Sequence, residues 1–299
     1  MRRAWVALWV LGALLPVGPL IAAEPKLPVV ASFSIVGDLV RQVGGDDVSV
    51  QLLVGPDSDA HAVQPTPTMA RTVASAAVLF SHGLGFEGWM ARFLRAAGFG
   101  GLHVEVAQGI AAIPAPDRLG HDHELDPHAW QDVRHALHYV VRIADGLCAA
   151  DAPHCAGYRS RAAALTQRLQ ALDAEIRSGW AAIPVAQRIV ITTHEAFGYY
   201  GVAYGVRFLA AQGLSSTAEP SPRAVANLIR QLRSSGSRAL FLERTGDPRL
   251  MQRIADETGV AIGGTLYADT LSGPDGPAPT YEALMRHNTQ TLLRALRQR

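Results

Sequence analysis

The chain is poor in cysteine, in aromatic residues and in charge. Of its 299 residues two are cysteine, 7% are aromatic and 18% are charged. Two thiols cannot build a Cys-based zinc site of four ligands, nor a scaffold held by many disulfides. Lys and Arg number 27 against 26 Asp and Glu. The basic excess that attracts a nucleic-acid backbone is therefore missing, and no nucleic-acid partner is expected. After residue 23 no apolar run reaches about 18 residues, so the body of the chain has no membrane-spanning stretch. There is no clear residue-level repeat, no P-loop and no Gly-x-Ser-x-Gly elbow. What is present is a 48% hydrophobic content punctuated by 28 Gly and 18 Pro. That is a globular composition, long enough for about two domains of roughly 150 residues.

The N-terminus reads separately. Arg2 and Arg3 precede an apolar run over 4–15, which Pro16, Gly18 and Pro19 break before Ile21-Ala22-Ala23 and Glu24. This order is that of a cleavable secretory signal peptide, 1–23, with an uncleaved anchor as the alternative. No cysteine lies near the cleavage point, so a periplasmic protein without a lipid anchor is expected. Cleavage leaves 25 basic against 26 acidic residues. Export also permits a disulfide between Cys148 and Cys155, with two free thiols as the alternative.

Short apolar runs over 28–33, 48–54, 77–81 and 102–106 read as strands, with helical stretches over 35–43, 69–74 and 87–97. The alternation recurs: strands over 188–193, 206–210, 238–243 and 260–263, helices over 195–204, 222–234, 248–258 and 280–297. Alternating elements of this kind imply βαβ units. The expected fold is α/β, two similar (β/α) lobes with mainly parallel sheets, 24–150 and 185–299. Between them Leu165, Leu169, Leu172, Ile176, Trp180 and Ile183 fall on one helix face. The connector 151–184 therefore reads as one long rigid helix of roughly 45 Å. Ligands of such sheets sit beyond the carboxyl ends of the strands, which places a site between the lobes.

Eleven histidines compete for that site. His61 follows the strand ending near Val54, His128 precedes a helix, His194 ends the strand over 188–193, and Asp269 follows the last strand. Three imidazoles and one carboxylate on four loops suit a four-coordinate cation such as zinc. Taken singly, each has a bland reading as a solvated or hydrogen-bonded loop residue.

Taken together, the motifs resemble a family. They include Asp59-Ala60-His61 with Pro65-Thr66-Pro67, Gly83-Leu84-Gly85-Phe86-Glu87-Gly88-Trp89 and Asp126-Pro127-His128-Ala129-Trp130. Thr193-His194-Glu195-Ala196-Phe197-Gly198-Tyr199, Glu219-Pro220-Ser221, Glu257-Thr258-Gly259 and Leu266-Tyr267-Ala268-Asp269 follow. The chain is similar, over nearly its whole mature length, to the solute-binding proteins of zinc and manganese ABC uptake transporters. That resemblance implies two α/β lobes on one long helix, a metal between them, and delivery to a membrane permease. It implies His61, His128, His194 and Asp269 as ligands, and a protein that is not an enzyme. Manganese-type relatives often carry a carboxylate at the third position; His194 there favours Zn2+ over Mn2+. Val63, Gln64 and Glu195 depart from the family pattern without removing a ligand. A monomer is expected, and loading by a periplasmic metallochaperone is left open.

His121 and His123, in Gly120-His121-Asp122-His123-Glu124, resemble a reduced His-rich capture loop, with an ordinary polar loop as the alternative. His82 reads as a strand-end residue near the cleft, while His135 and His138 read as a solvated helix face. His103, His154 and His287 read as structural or exposed. A secreted zinc hydrolase is the alternative from another class, but His194-Glu195 fails the His-Glu-x-x-His pattern at Gly198, and four protein ligands leave no open position for water. A surface adhesin finds no repeat to support it.

Overall fold

In a computed structural model, residues 25–114, 125–214, 221–235 and 239–297 are described. The first lobe runs β1 (Leu27–Phe33), α1 (Ser34–Gly44), β2 (Val48–Val54), α2 (Pro67–Ala74), β3 (Val78–Ser81), α3 (Met90–Ala97) and β4 (Leu102–Glu105). Its strands pair in parallel in the order β2-β1-β3-β4. Central β1 buries Val29, Val30, Ala31, Ser32 and Phe33 in succession, as in a strand covered on both faces. Two helices follow, α4 (Val133–Ala150) and α5 (Cys155–Ala181). The second lobe runs β5 (Ile189–Thr192), α6 (Gly198–Tyr204), β6 (Arg207–Ala210), α7 (Pro222–Ser235), β7 (Leu240–Glu243), α8 (Pro248–Thr258), β8 (Ile262–Leu266) and α9 (Tyr281–Arg297). Its parallel order, β6-β5-β7-β8, repeats that of the first sheet. The two lobes are thus alike in topology without an evident sequence repeat.

α5 buries Leu165, Leu169, Leu172, Ile176 and Trp180 along one face. It is 27 residues long, about 40 Å, and shorter than the expected connector. Pro153 lies in a separate 3-10 turn, Ala152–His154, and the chain leaves the helix before Pro184, whose ring disfavours helix in the residue before it. Each half of α5 is fastened to a different lobe. Arg161 donates to the Val43 and Gly44 carbonyls and to Asp47. Arg177 donates to the Ala203 carbonyl, and Trp180 Nε1 to the Tyr200 hydroxyl. Cys148 and Cys155 form a disulfide that clamps the turn from α4 into α5. No helix of the described residues is long and apolar enough to cross a membrane.

Two elements differ from expectation in ways that shape the site. The helix expected over 195–204 begins only at Gly198. Glu243 captures the backbone N–H groups of Thr193 and His194, and Glu195 N donates to the Gly213 carbonyl, so residues 193–197 form a loop. The strand expected over 260–263 is shifted to Ile262–Leu266. Gly263 and Gly264 weaken the strand signal, yet a Cβ on Gly263 would meet Ala295 of α9 at 2.7 Å. Glycine there lets α9 lie against the sheet.

Candidate metal centre

Four loops at the carboxyl ends of the two sheets converge. His61 comes from the loop after β2, His128 from the turn before α4, His194 from the loop after β5, and Asp269 from the loop after β8. One ligand atom from each lies within 4.8 Å of the others. His61 Nε2 is 3.3 Å from His128 Nε2 and 3.4 Å from Asp269 Oδ2. Asp269 Oδ2 is 3.1 Å from His194 Nε2, and Asp269 Oδ1 is 3.6 Å from His128 Nε2. A tetrahedron with metal–ligand bonds of about 2.0–2.1 Å has edges of about 3.3–3.4 Å. The contacts of 3.1–3.6 Å are close to that edge, and the group as a whole, within 4.8 Å, is gathered closely enough for one ion to draw it together.

Buried polar atoms confirm the direction in which the site faces. His194 Nε2 and both Asp269 oxygens are buried without a hydrogen bond. Buried polar atoms are nearly always satisfied, so these lack the partner they are built for. Behind the ligands stand further carboxylates. Asp126 Oδ1 accepts from His128 Nδ1 at 2.8 Å and from the His128 backbone N–H at 2.8 Å. Glu243 Oε2 is hydrogen-bonded to His194 Nδ1, while Oε1 accepts from Thr193 N and His194 N. A carboxylate only accepts, so Nδ1 of each ring carries a proton, and it is the neutral ring that offers its Nε2 lone pair to the centre. His194 leaves β5 and Glu243 ends β7, neighbouring strands at the point where the second sheet's order reverses. That is the usual ligand crevice of such sheets.

Charge makes the same case. Asp126, Glu243 and Asp269 are all buried, and among the described residues none pairs with Lys or Arg. Burial pushes Asp269 up, but the facing imidazoles of His194, His61 and His128 outweigh it and hold the carboxyl well below its usual range. Burial pushes His194 down, but Glu243 and Asp269 outweigh it and raise the imidazole well above its usual value. Three buried carboxyl groups meet at this centre with no Lys or Arg beside them among the described residues, a setting that a divalent cation suits.

The remaining histidines do not join. His82 is buried, with Nε2 on the Tyr139 hydroxyl and Nδ1 on the Gly83 carbonyl. Burial drives its pKa down to about 3. It packs on Phe86 and Trp130 and touches no ligand by hydrogen bond. His135 and His138 are not a solvated face. Both are half-buried, because the Ala129 and Gln108 carbonyls each take up one of their ring nitrogens. His103 meets the Ser81 hydroxyl, His154 meets Asp151, and His287 meets the Thr265 carbonyl. His121, His123 and Glu219 lie outside the described residues. Sequence reasoning missed Glu243; its signal was an acidic residue ending the apolar run Leu240-Phe241-Leu242.

Two α/β lobes of like topology on one long helix, with a buried His-rich centre between them, define a metal-binding solute-binding protein. The family model described as ZnuA, zinc-uptake complex component A, periplasmic, matches residues 29–295. The chain belongs to this family. It is 32% identical over 272 residues to the manganese-binding lipoprotein MntA of Halalkalibacterium halodurans, covering 91% of this chain and 89% of the relative. It is 31% identical over 275 residues to the iron-binding protein YfeA of Yersinia pestis, covering 91% and 87%. Among solved structures, the periplasmic zinc-binding protein TroA of Treponema pallidum matches with a TM-score of 0.84 and 28% identity, covering 91% of this chain and 99% of that one. The protein is thus a periplasmic metal-binding component of an ABC transporter, working with a permease, and is not an enzyme.

Proposed function

We propose that the protein captures Zn2+ in the periplasm through His61, His128, His194 and Asp269 and hands it to its ABC permease. The observation that carries this reading is the donor set itself, three imidazole nitrogens and one carboxylate gathered within 4.8 Å of one another. Zinc favours that set and that geometry, whereas manganese favours more oxygen ligands and higher coordination. Metal competition on purified protein tests it: zinc should displace manganese, and a site that prefers manganese overturns the choice of metal.

Manganese is the second reading. Asp269 presents both oxygens unpartnered, so a bidentate carboxylate would raise the coordination number to five. Two relatives are named for manganese and iron.

The functional division proposed is a leader over 1–23, lobes over 24–150 and 185–299, and a connector over 151–184. The exported form is read as a monomer without a lipid anchor, although relatives are named lipoproteins. Both cysteines of the chain lie in the Cys148–Cys155 disulfide, which leaves no thiol for a lipid. Mass spectrometry of the mature protein should find Glu24 as the first residue; an acylated mass overturns this. Loading by a periplasmic metallochaperone is tested by comparing uptake from free and from chaperone-bound zinc.

A further inference from the structure

Two of the three imidazoles are held by carboxylates, and the third is not. Asp59-Ala60-His61 and Asp126-Pro127-His128 share one local device. In each, the Asp Oδ1 accepts the backbone N–H of the His two residues on, at 2.8 Å. Asp126 Oδ1 also reaches the His128 ring at 2.8 Å. Among the described residues no hydrogen bond reaches His61 Nδ1. Val63, beside it in the chain, has no polar atom to offer. His61 is also the least enclosed ligand, with 9% of its side chain exposed against 0–1% for His128, His194 and Asp269.

What the His61 ring has instead is Phe86. The rings meet nearly edge to face, with centroids 4.8 Å apart and planes at 75°. Phe86 is buried and wedged between Phe33 and Trp130. The loop that delivers it is unusual. Gly83, Leu84 and Gly85 all have positive φ, at 91°, 53° and 79°. For Leu84, a residue with a Cβ, this conformation is sterically disfavoured. Glu87 holds the loop in that shape, its carboxylate accepting from the backbone N–H groups of His82 and Gly83 at 2.8 and 3.2 Å. Strain that persists because its surroundings enforce it marks a functional platform.

We infer that Phe86 is a positioning residue for His61, taking the place of the carboxylate that orients the other two imidazoles, and that His61 is consequently the exchange ligand. Resting on the metal-site reading above, the inference sets the order of release. The metal–nitrogen bond to His61 breaks first, a solvent water takes the vacated position, and His128, His194 and Asp269 hold the ion until transfer. A ring held by packing resists rotation less than one held by a charged hydrogen bond.

Stopped-flow transfer of Zn2+ from the protein to excess EDTA tests this. Phe86→Leu stays apolar, with a modest loss of volume, and removes the ring. It should release zinc about two- to tenfold faster, the range an aromatic edge contact is worth, with little change in association rate. Phe86→Tyr, which retains the ring, should restore the wild-type rate. An unchanged release rate in Phe86→Leu overturns the inference while leaving the site intact. The wild type loaded with Co2+ gives a second measurement that needs no variant. By proton NMR, two paramagnetically shifted imidazole Nδ1–H signals, from His128 and His194, should exchange slowly with solvent and one, from His61, rapidly. Three equally slow signals overturn the inference. Failure of the wild type to take up Zn2+ or Co2+ overturns the site and this inference with it.

Discussion

Glu243 grips His194 on two sides: one carboxylate oxygen takes the ring Nδ1–H, and the other takes the backbone N–H groups of Thr193 and His194. The residue that orients the ligand also stops α6 from starting early, so local fold and metal geometry are set by one side chain. Glu243→Gln keeps the shape but weakens the charged hydrogen bond. Loss of such a partner typically costs 10–100-fold in metal affinity. Zinc titration against a competing chelator should show a drop of about that size; an unchanged affinity would show that Glu243 is only a backbone staple.

Proton release follows from the same pair. The metal-free His194 is raised above its usual value by Glu243 and Asp269, against the opposing effect of burial. The ring keeps its proton to higher pH than a free imidazole does, so at pH 7.5 zinc competes with that proton. Binding should release protons at that pH, and affinity should fall steadily on acidification. Calorimetry in buffers of different ionisation enthalpy measures the count. Zero release at pH 7.5 would contradict a protonated His194.

The stability of the metal-free protein should carry the opposite sign. A raised imidazole contributes stability that is complete below its unfolded value of about 6.5 and is lost as pH rises through the folded value. Asp269 is depressed, so its contribution is present above the unfolded carboxylate value and is lost as pH falls through the folded one. The melting temperature of metal-free protein should therefore decline into the alkaline range, while zinc-loaded protein should not follow it. Parallel pH profiles for the two forms would refute this.

Much of the site was legible because its four candidate ligands lie in loops after strands or just before a helix at carboxyl edges, where α/β folds place ligands. α5 was legible because five apolar residues, Leu165, Leu169, Leu172, Ile176 and Trp180, keep helical phase. Glu243 was not, since its partner lies 49 residues away and no spacing rule joins them. The late start of α6 was hidden for the same reason: a helical pattern over 195–204 is overruled by a distant carboxylate. His135 and His138 looked solvated because the carbonyls that receive them come from outside their helix.

Lobe opening should be small. α5 is pinned to both lobes, and Asp57 adds a direct tie, accepting from Arg244 Nε at 2.7 Å and from Gly273 N at 3.0 Å. Scattering profiles of metal-free and zinc-loaded protein should nearly coincide. Asp57→Ala should release zinc faster than Arg244→Ala, because it loses both contacts. A large expansion on metal removal would show that α5 is not the rigid strut it is taken for.

On the proposed ligand set, His194 is the position at which selectivity can be tested. Replacing it by Glu gives two imidazoles and two carboxylates, a set with more oxygen. The zinc-to-manganese affinity ratio should fall in His194→Glu, without necessarily reversing, because the intrinsic order of divalent metals still favours zinc. Competition titrations on both proteins measure the ratio; an equal or higher ratio in the variant would mean that another ligand sets the preference.

The most direct test of metal capture is elemental analysis of the protein purified from the periplasm without added metal, beside His128→Ala. The expected result is one zinc per chain in the wild type and a strong loss in the variant. Manganese or iron in zinc's place, or equal zinc in both proteins, would contradict a zinc site built on these residues.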